Sequence, residues 1–183
     1  MLHPNYKKED NIAEYILLMY QIEEIIRILN FNEESVLSVF TGEGEGENDQ
    51  IDKLRIYYRT IMKDMRDQGI DKKGHLEELK EIVLELIYLH NTLLTIVNDD
   101  KYKSLCESSY DDIVAFKLKS NLQKNHDVEV LLHAMFMKMQ LKLRKQEISA
   151  ETEQSMEKLR AQLAYLSKEY NKMKSGEWNY MQN

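Results

Sequence analysis

The chain has 183 residues, 43% of them apolar, with 25 Lys and Arg against 32 Asp and Glu, a net charge of −7 and a sequence pI near 5.3. That is enough apolar material for one hydrophobic core, and the acidic balance disfavours non-specific attachment to nucleic acid or anionic membranes. No apolar run approaches the ~20 residues that cross a bilayer. Residues 1–10 lack the apolar core of a secretory signal, and the single cysteine, Cys106, allows no intrachain disulfide, so a cytoplasmic setting is expected.

The only proline is Pro4, so the commonest helix breaker is absent from the rest of the chain. Apolar residues recur instead at alternating spacings of three and four. Ile12, Tyr15, Met19, Ile22, Ile26 and Leu29 form such a seam and predict a first helix from about Tyr6 to Leu29. Asn11 and Glu14 resemble a capping pair inside it. Its other side carries Leu17, Tyr20 and Ile28 among Glu14, Gln21, Glu24 and Arg27. A helix apolar on more than one side is buried on more than one side, which places this one centrally or at a subunit interface.

Asn32 is suited to cap a short helix through Phe40. The run Thr41-Gly-Glu-Gly-Glu-Gly-Glu-Asn48 holds three of the six glycines and reads as a flexible acidic loop, 41–48. Ile51, Leu54, Tyr58, Ile61 and Met65 predict a helix from about Asp49 to Gln68, stopped by Gly69. Leu76, Leu79, Val83, Leu86, His90, Leu93 and Val97 predict the next, ended by Asn98-Asp99-Asp100. Lys101 to Ser108 is polar and reads as irregular or loosely helical, with Ser109 and Asp112 as the capping box of a short helix to about Leu122. Asn125 or Asp127 opens a helix to about Lys145. Ser149 caps the last, with Met156, Leu159, Leu163, Leu166, Tyr170 and Met173 on its seam and Gly176 as its stop. Residues 177–183 form a tail. No period-two alternation predicts a strand, and no repeat predicts a solenoid. The expected fold is therefore all-α: one domain over 1–183, an up-and-down left-handed bundle of about five principal helices plus one or two short ones.

Candidate chemistry is sparse. None of the five histidines follows a glutamate by three residues, which excludes the paired Glu-x-x-His motif of dimetal bundles. Glu129 and His133, at i and i+4, could share a metal with His90, but three such side chains arise easily in a charged bundle, and no metal site or cofactor is called for. Glu78 and Glu81 have the spacing of a magnesium-binding pair without a second pair to complete it. Cys106 has Lys103 nearby and no base to activate it. Lys138, Lys142 and Lys145 form a stripe beside Arg144, which at this net charge reads as a solvated face rather than a nucleic-acid site. Met135, Met137 and Met139 read as adaptable packing. The strongest constellation is on the first helix: Glu14, Tyr20, Gln21, Glu24 and Arg27, with Glu23 and Arg27 also at ion-pair spacing. If that face is covered, its polar groups need partners. It is a buried network, an interface, or a pocket.

The stretch Asn11 to Arg27 (NIAEYILLMYQIEEIIR), the step Leu89-His90-Asn91, and Arg144 to Thr152 (RKQEISAET) resemble an all-helical family of Bacteroidetes proteins catalogued as a domain of unknown function. The chain departs from that pattern at Tyr20, where tryptophan is more usual, and in the Met- and Lys-rich part of the helix near Lys138. The family carries no activity to transfer. The resemblance implies a cytoplasmic bacterial protein, and a special status for Glu14, Gln21, Glu24, Arg27 and His90. The expected function is non-catalytic, acting through protein contacts as a homodimer or with another protein. The alternative is a small-molecule- or metal-binding bundle, as a binding protein or an enzyme, with a pocket beside the first helix.

Overall fold

The computed structural model describes residues 8–41 and 48–178. Most of the predicted acidic loop (42–47), the tail from 179 and the predicted helix start at Tyr6 lie outside them. The described residues form seven helices and no strand: α1 Ile12–Ile28, α2 Glu33–Thr41, α3 Asn48–Asp67, α4 Glu77–Thr95, α5 Asp100–Lys119, α6 Asp127–Leu143 and α7 Ala150–Ser175. The fold is all-α. The helices gather into two compact units, one over Glu14–Glu81 and one over Lys8–Ala13 with Ile82 onward.

In the first unit α2 packs on α3. Leu18, Met19, Ile22 and Ile26 of α1 share an apolar cluster with Val36, Leu37 and Phe40 of α2 and with Tyr58, Ile61, Met62 and Met65 of α3. The seam read from the sequence supplies these residues. Phe40 and Tyr58 stack with ring centroids 4.3 Å apart. Asn32 does cap α2, its side-chain oxygen accepting the Ser35 N–H at 2.9 Å. Gly69 ends α3 in the left-handed conformation, φ 66°, while the Ile70 N–H reaches back to the Met65 carbonyl at 2.9 Å.

In the second unit α5, α6 and α7 pack on one another pairwise. Ser149 caps α7 and Gly176, φ 77°, terminates it, both as predicted. The N-terminus of α1 is tied to α7: the Ala13 N–H donates to the Ser167 hydroxyl, which in turn donates to the Asn11 side chain. Residues 8–10 are turns, so α1 begins at Ile12, the first residue of its seam, and not in the residues before it.

One segment is more regular than expected, and the helix start predicted at Ser109 is wrong. Lys101 to Ser108 is the first half of α5, a 20-residue helix capped by Asp99, whose carboxylate accepts the Tyr102 N–H at 2.8 Å. Asn98 takes φ 54° and closes the preceding turn, so Asn98-Asp99-Asp100 both ends α4 and starts α5. Ser109 is no cap. It is buried mid-helix, its hydroxyl within 2.9 Å of the Leu105 carbonyl and 2.5 Å of the Gln162 side-chain oxygen. The polar run was misread because α5 buries few residues, Tyr102, Ser109 and Ile113 among them.

Candidate functional site

In the first unit, the last two turns of α1 hold the segment that joins α3 to α4. Glu23 is 0% exposed, placed there by a helix that turns Ile22 and Ile26 into the core beside it. Its carboxylate accepts the Leu76 N–H at 2.8 Å and lies 2.6 Å from His75 Nδ1. Arg27 stands 4.0 Å from Glu23 and 3.4 Å from Glu24. The same guanidinium donates to the backbone carbonyls of Ile70, at 3.2 Å, and Gly74. Tyr20 stacks on His75 with centroids 3.6 Å apart. Gly74 needs to be glycine twice over, since its φ is 98° and a Cβ there would meet the Ile70 side chain at 3.3 Å.

The arrangement is a latch. A buried carboxylate is costly unless its lone pairs are used, and here a backbone N–H, an imidazole and a nearby guanidinium use them. Of the residues singled out from the sequence, Tyr20, Glu24 and Arg27 come together here. Gln21 is buried on α1, and Glu14 is exposed in its first turn. Glu23 is the centre, and His75, 52 residues away, completes it. A shallow recess of about 400 Å3 opens beside Arg27, lined also by Asn30, Phe31, Arg66, Asp71 and Lys72. The Arg66 guanidinium lies 4.8 Å from the centroid of the Phe31 ring.

His90 belongs to the second unit and to a different network. It is buried on α4, with Nδ1 2.7 Å from the Tyr102 hydroxyl. Its ring meets that of His126 edge-on at 5.1 Å. Burial, then the neighbouring His126, push the His90 pKa down to about 4, with Asp127 opposing them. His126 is the N-cap of α6: its Nδ1 accepts the Val128 N–H at 3.2 Å, and Glu129 accepts the His126 N–H at 2.7 Å. Tyr102 is fully buried and stacks on Tyr165, whose hydroxyl donates to Asp99 at 2.8 Å.

The weak metal trio is not assembled. Glu129 caps α6, and His133 is exposed with its ring near Phe116. No group of three or more His, Cys, Asp or Glu side chains is placed to hold an ion among the described residues. Cys106 lies on α5 rather than in a loop; Gln162 donates to its sulfur at 3.2 Å, and burial pushes the thiol up to about 11. That is the opposite of an activated nucleophile. Lys138 leaves the basic stripe altogether. It is 6% exposed and pairs with Glu153 and Glu157, each at 2.8 Å. Burial alone would lower its pKa, but those two carboxylates raise it.

Sequence reasoning missed His75, Tyr102 and His126. A signal for the first was an acidic residue, Glu23, between two seam positions of an apolar helix, which demands a buried partner. For His126 the signal was Glu129 three residues on, the second half of a capping box.

No curated protein and no solved structure matches the chain. A family model described as Domain of unknown function (DUF4924) matches residues 1–177, and the chain belongs to that family.

Proposed function

We propose that this protein is a non-catalytic helical protein that works through protein contacts and self-associates as a homodimer. The observation that carries the reading is on α5. Tyr110, Val114 and Leu118 are 61%, 39% and 61% exposed at i, i+4 and i+8, so three large apolar side chains line one stripe of the helix. Leu84 and Tyr88 repeat the pattern on α4. α5 carries four acidic and four basic residues, so its own charge does not oppose a second copy.

The pocket alternative has less to rest on, because Arg27, which would line it, is bonded to the Ile70 and Gly74 carbonyls and Glu24 is paired with Arg27. A reducing cytoplasmic setting fits the single, half-buried cysteine. Native mass spectrometry of the protein as purified tests the reading. A dimer without bound small molecules is the expected spectrum. A monomer that retains a stoichiometric ligand would overturn it in favour of the pocket.

A further inference from the structure

The second unit carries a network that joins two helix N-termini through two imidazoles. Asp99 caps α5 and accepts from Tyr165 of α7. Tyr165 stacks on Tyr102, Tyr102 bonds to His90 of α4, and the His90 ring abuts His126, which caps α6. A backbone N–H can only donate, so the contact from Val128 requires His126 Nδ1 to be an acceptor, without a proton. His90 can accept from the Tyr102 hydroxyl in the same way.

We propose that His126 and His90 form an acid-sensitive catch, in which protonation of His126 uncaps α6 and loosens its first turn. A protonated Nδ1 cannot accept, so the cap and the proton exclude each other. A proton on one ring also opposes a proton on the other, 5.1 Å away.

The surrounding groups set the direction. On α6, Asp127 is paired with Lys117 of α5 at 2.6 Å, and Glu129 is bound to the His126 N–H. Asp127 favours charged His90, whereas burial and His126 disfavour it. From α5, Tyr102 and Cys106 face the network, both held protonated by burial. From α7 come Tyr165, already bonded to Asp99, with Lys101 of α5 over its ring, and uncharged Gln162, which donates to Cys106. Burial and the neighbouring ring hold His90 neutral, while the Val128 N–H at Nδ1 ties the His126 ring to the cap.

Asparagine at 126 supplies a capping oxygen that does not titrate. The test is amide hydrogen exchange at Val128 and its neighbours in the intact protein, His126→Asn against wild type, at pH 7.5 and pH 5. At pH 7.5 the two should be equally protected. At pH 5 the wild type should exchange about tenfold or more faster than His126→Asn, and the imidazole NMR shifts of His126 should titrate in the same interval. Equal protection of both proteins at pH 5 would overturn the proposal. So would a His126 that titrates while the Val128 amide stays protected. His126→Ala, which removes the cap at every pH, should exchange fast at both; if it is as protected as wild type at pH 7.5, the cap does not hold the turn and the proposal fails.

Discussion

Removing the Glu23 carboxylate should cost the fold more than any surface change on α1. The side chain is 0% exposed, and its two oxygens are taken by the Leu76 N–H at 2.8 Å and by His75 at 2.6 Å. Glu23→Ala leaves the buried Leu76 N–H without an acceptor, a desolvation loss of about 1–3 kcal/mol. Loss of the charge partner for Arg27 and half-exposed His75 adds about 0–1 kcal/mol, since these pairs are partly solvated. The sum is about 1–4 kcal/mol. Glu23→Gln keeps an acceptor for Leu76 and should cost less, about 1 kcal/mol. Arg27→Met is the opposite perturbation. It leaves the Glu23 carboxylate with Leu76 and His75 but frees the carbonyls of Ile70 and Gly74, and should cost about 1–3 kcal/mol. Urea unfolding at pH 7.5, followed by far-UV circular dichroism, reads all three. The reasoning is refuted if Glu23→Ala unfolds with wild-type stability, or if Glu23→Gln costs as much as Glu23→Ala.

Three further outcomes follow from the second unit. His90 sits near 4 in the folded chain against about 6.5 unfolded, so between those values the unfolded chain binds the extra proton and stability falls with acid. Its contribution is intact above pH 6.5, and at pH 4.5 about 2.5 kcal/mol has been lost; His90→Asn, which cannot charge, should close on wild-type stability by that amount between pH 7.5 and 4.5, and a constant gap would count against it. Lys138→Met should be neutral within about 1 kcal/mol, while Glu153→Gln with Glu157→Gln strands a buried ammonium and should cost about 3 kcal/mol or more; thermal melts that reverse this order contradict the pairing. Cys106, whose thiol is pushed up to about 11 by burial, should resist a thiol reagent at pH 7.5 in the native protein and react on unfolding in urea; fast native labelling would show it exposed.

Much of the fold was legible because the signals are local. Asn32, Ser149, Gly69 and Gly176 act within one turn of where they stand, and all four do what their residue types predict. The start of α5 was not, because Asp99 sits in a run that equally reads as the end of α4, and one residue cannot show from sequence which neighbour it caps. Ser109 and Asp112 have capping spacing, yet the Ser109 hydroxyl turns to Leu105 and to Gln162, 53 residues away. The polar face of α1 was visible as a demand for partners, but its partners were not. His75 and the carbonyls of Ile70 and Gly74 come from a loop with no pattern of its own. Lys138 shows the same limit from the other side: a lysine at stripe spacing looks solvated until Glu153 and Glu157 of α7 are brought against it.

The proposed function is self-association through exposed apolar faces rather than chemistry in a pocket. Sedimentation equilibrium of the intact protein, from low to high micromolar concentration, tests it most directly when run beside Leu118→Asp, a change at a 61% exposed position that the fold should tolerate. A monomer–dimer equilibrium is expected for the wild type, shifted toward monomer by the aspartate. A wild type that stays monomeric at the highest concentration would contradict it.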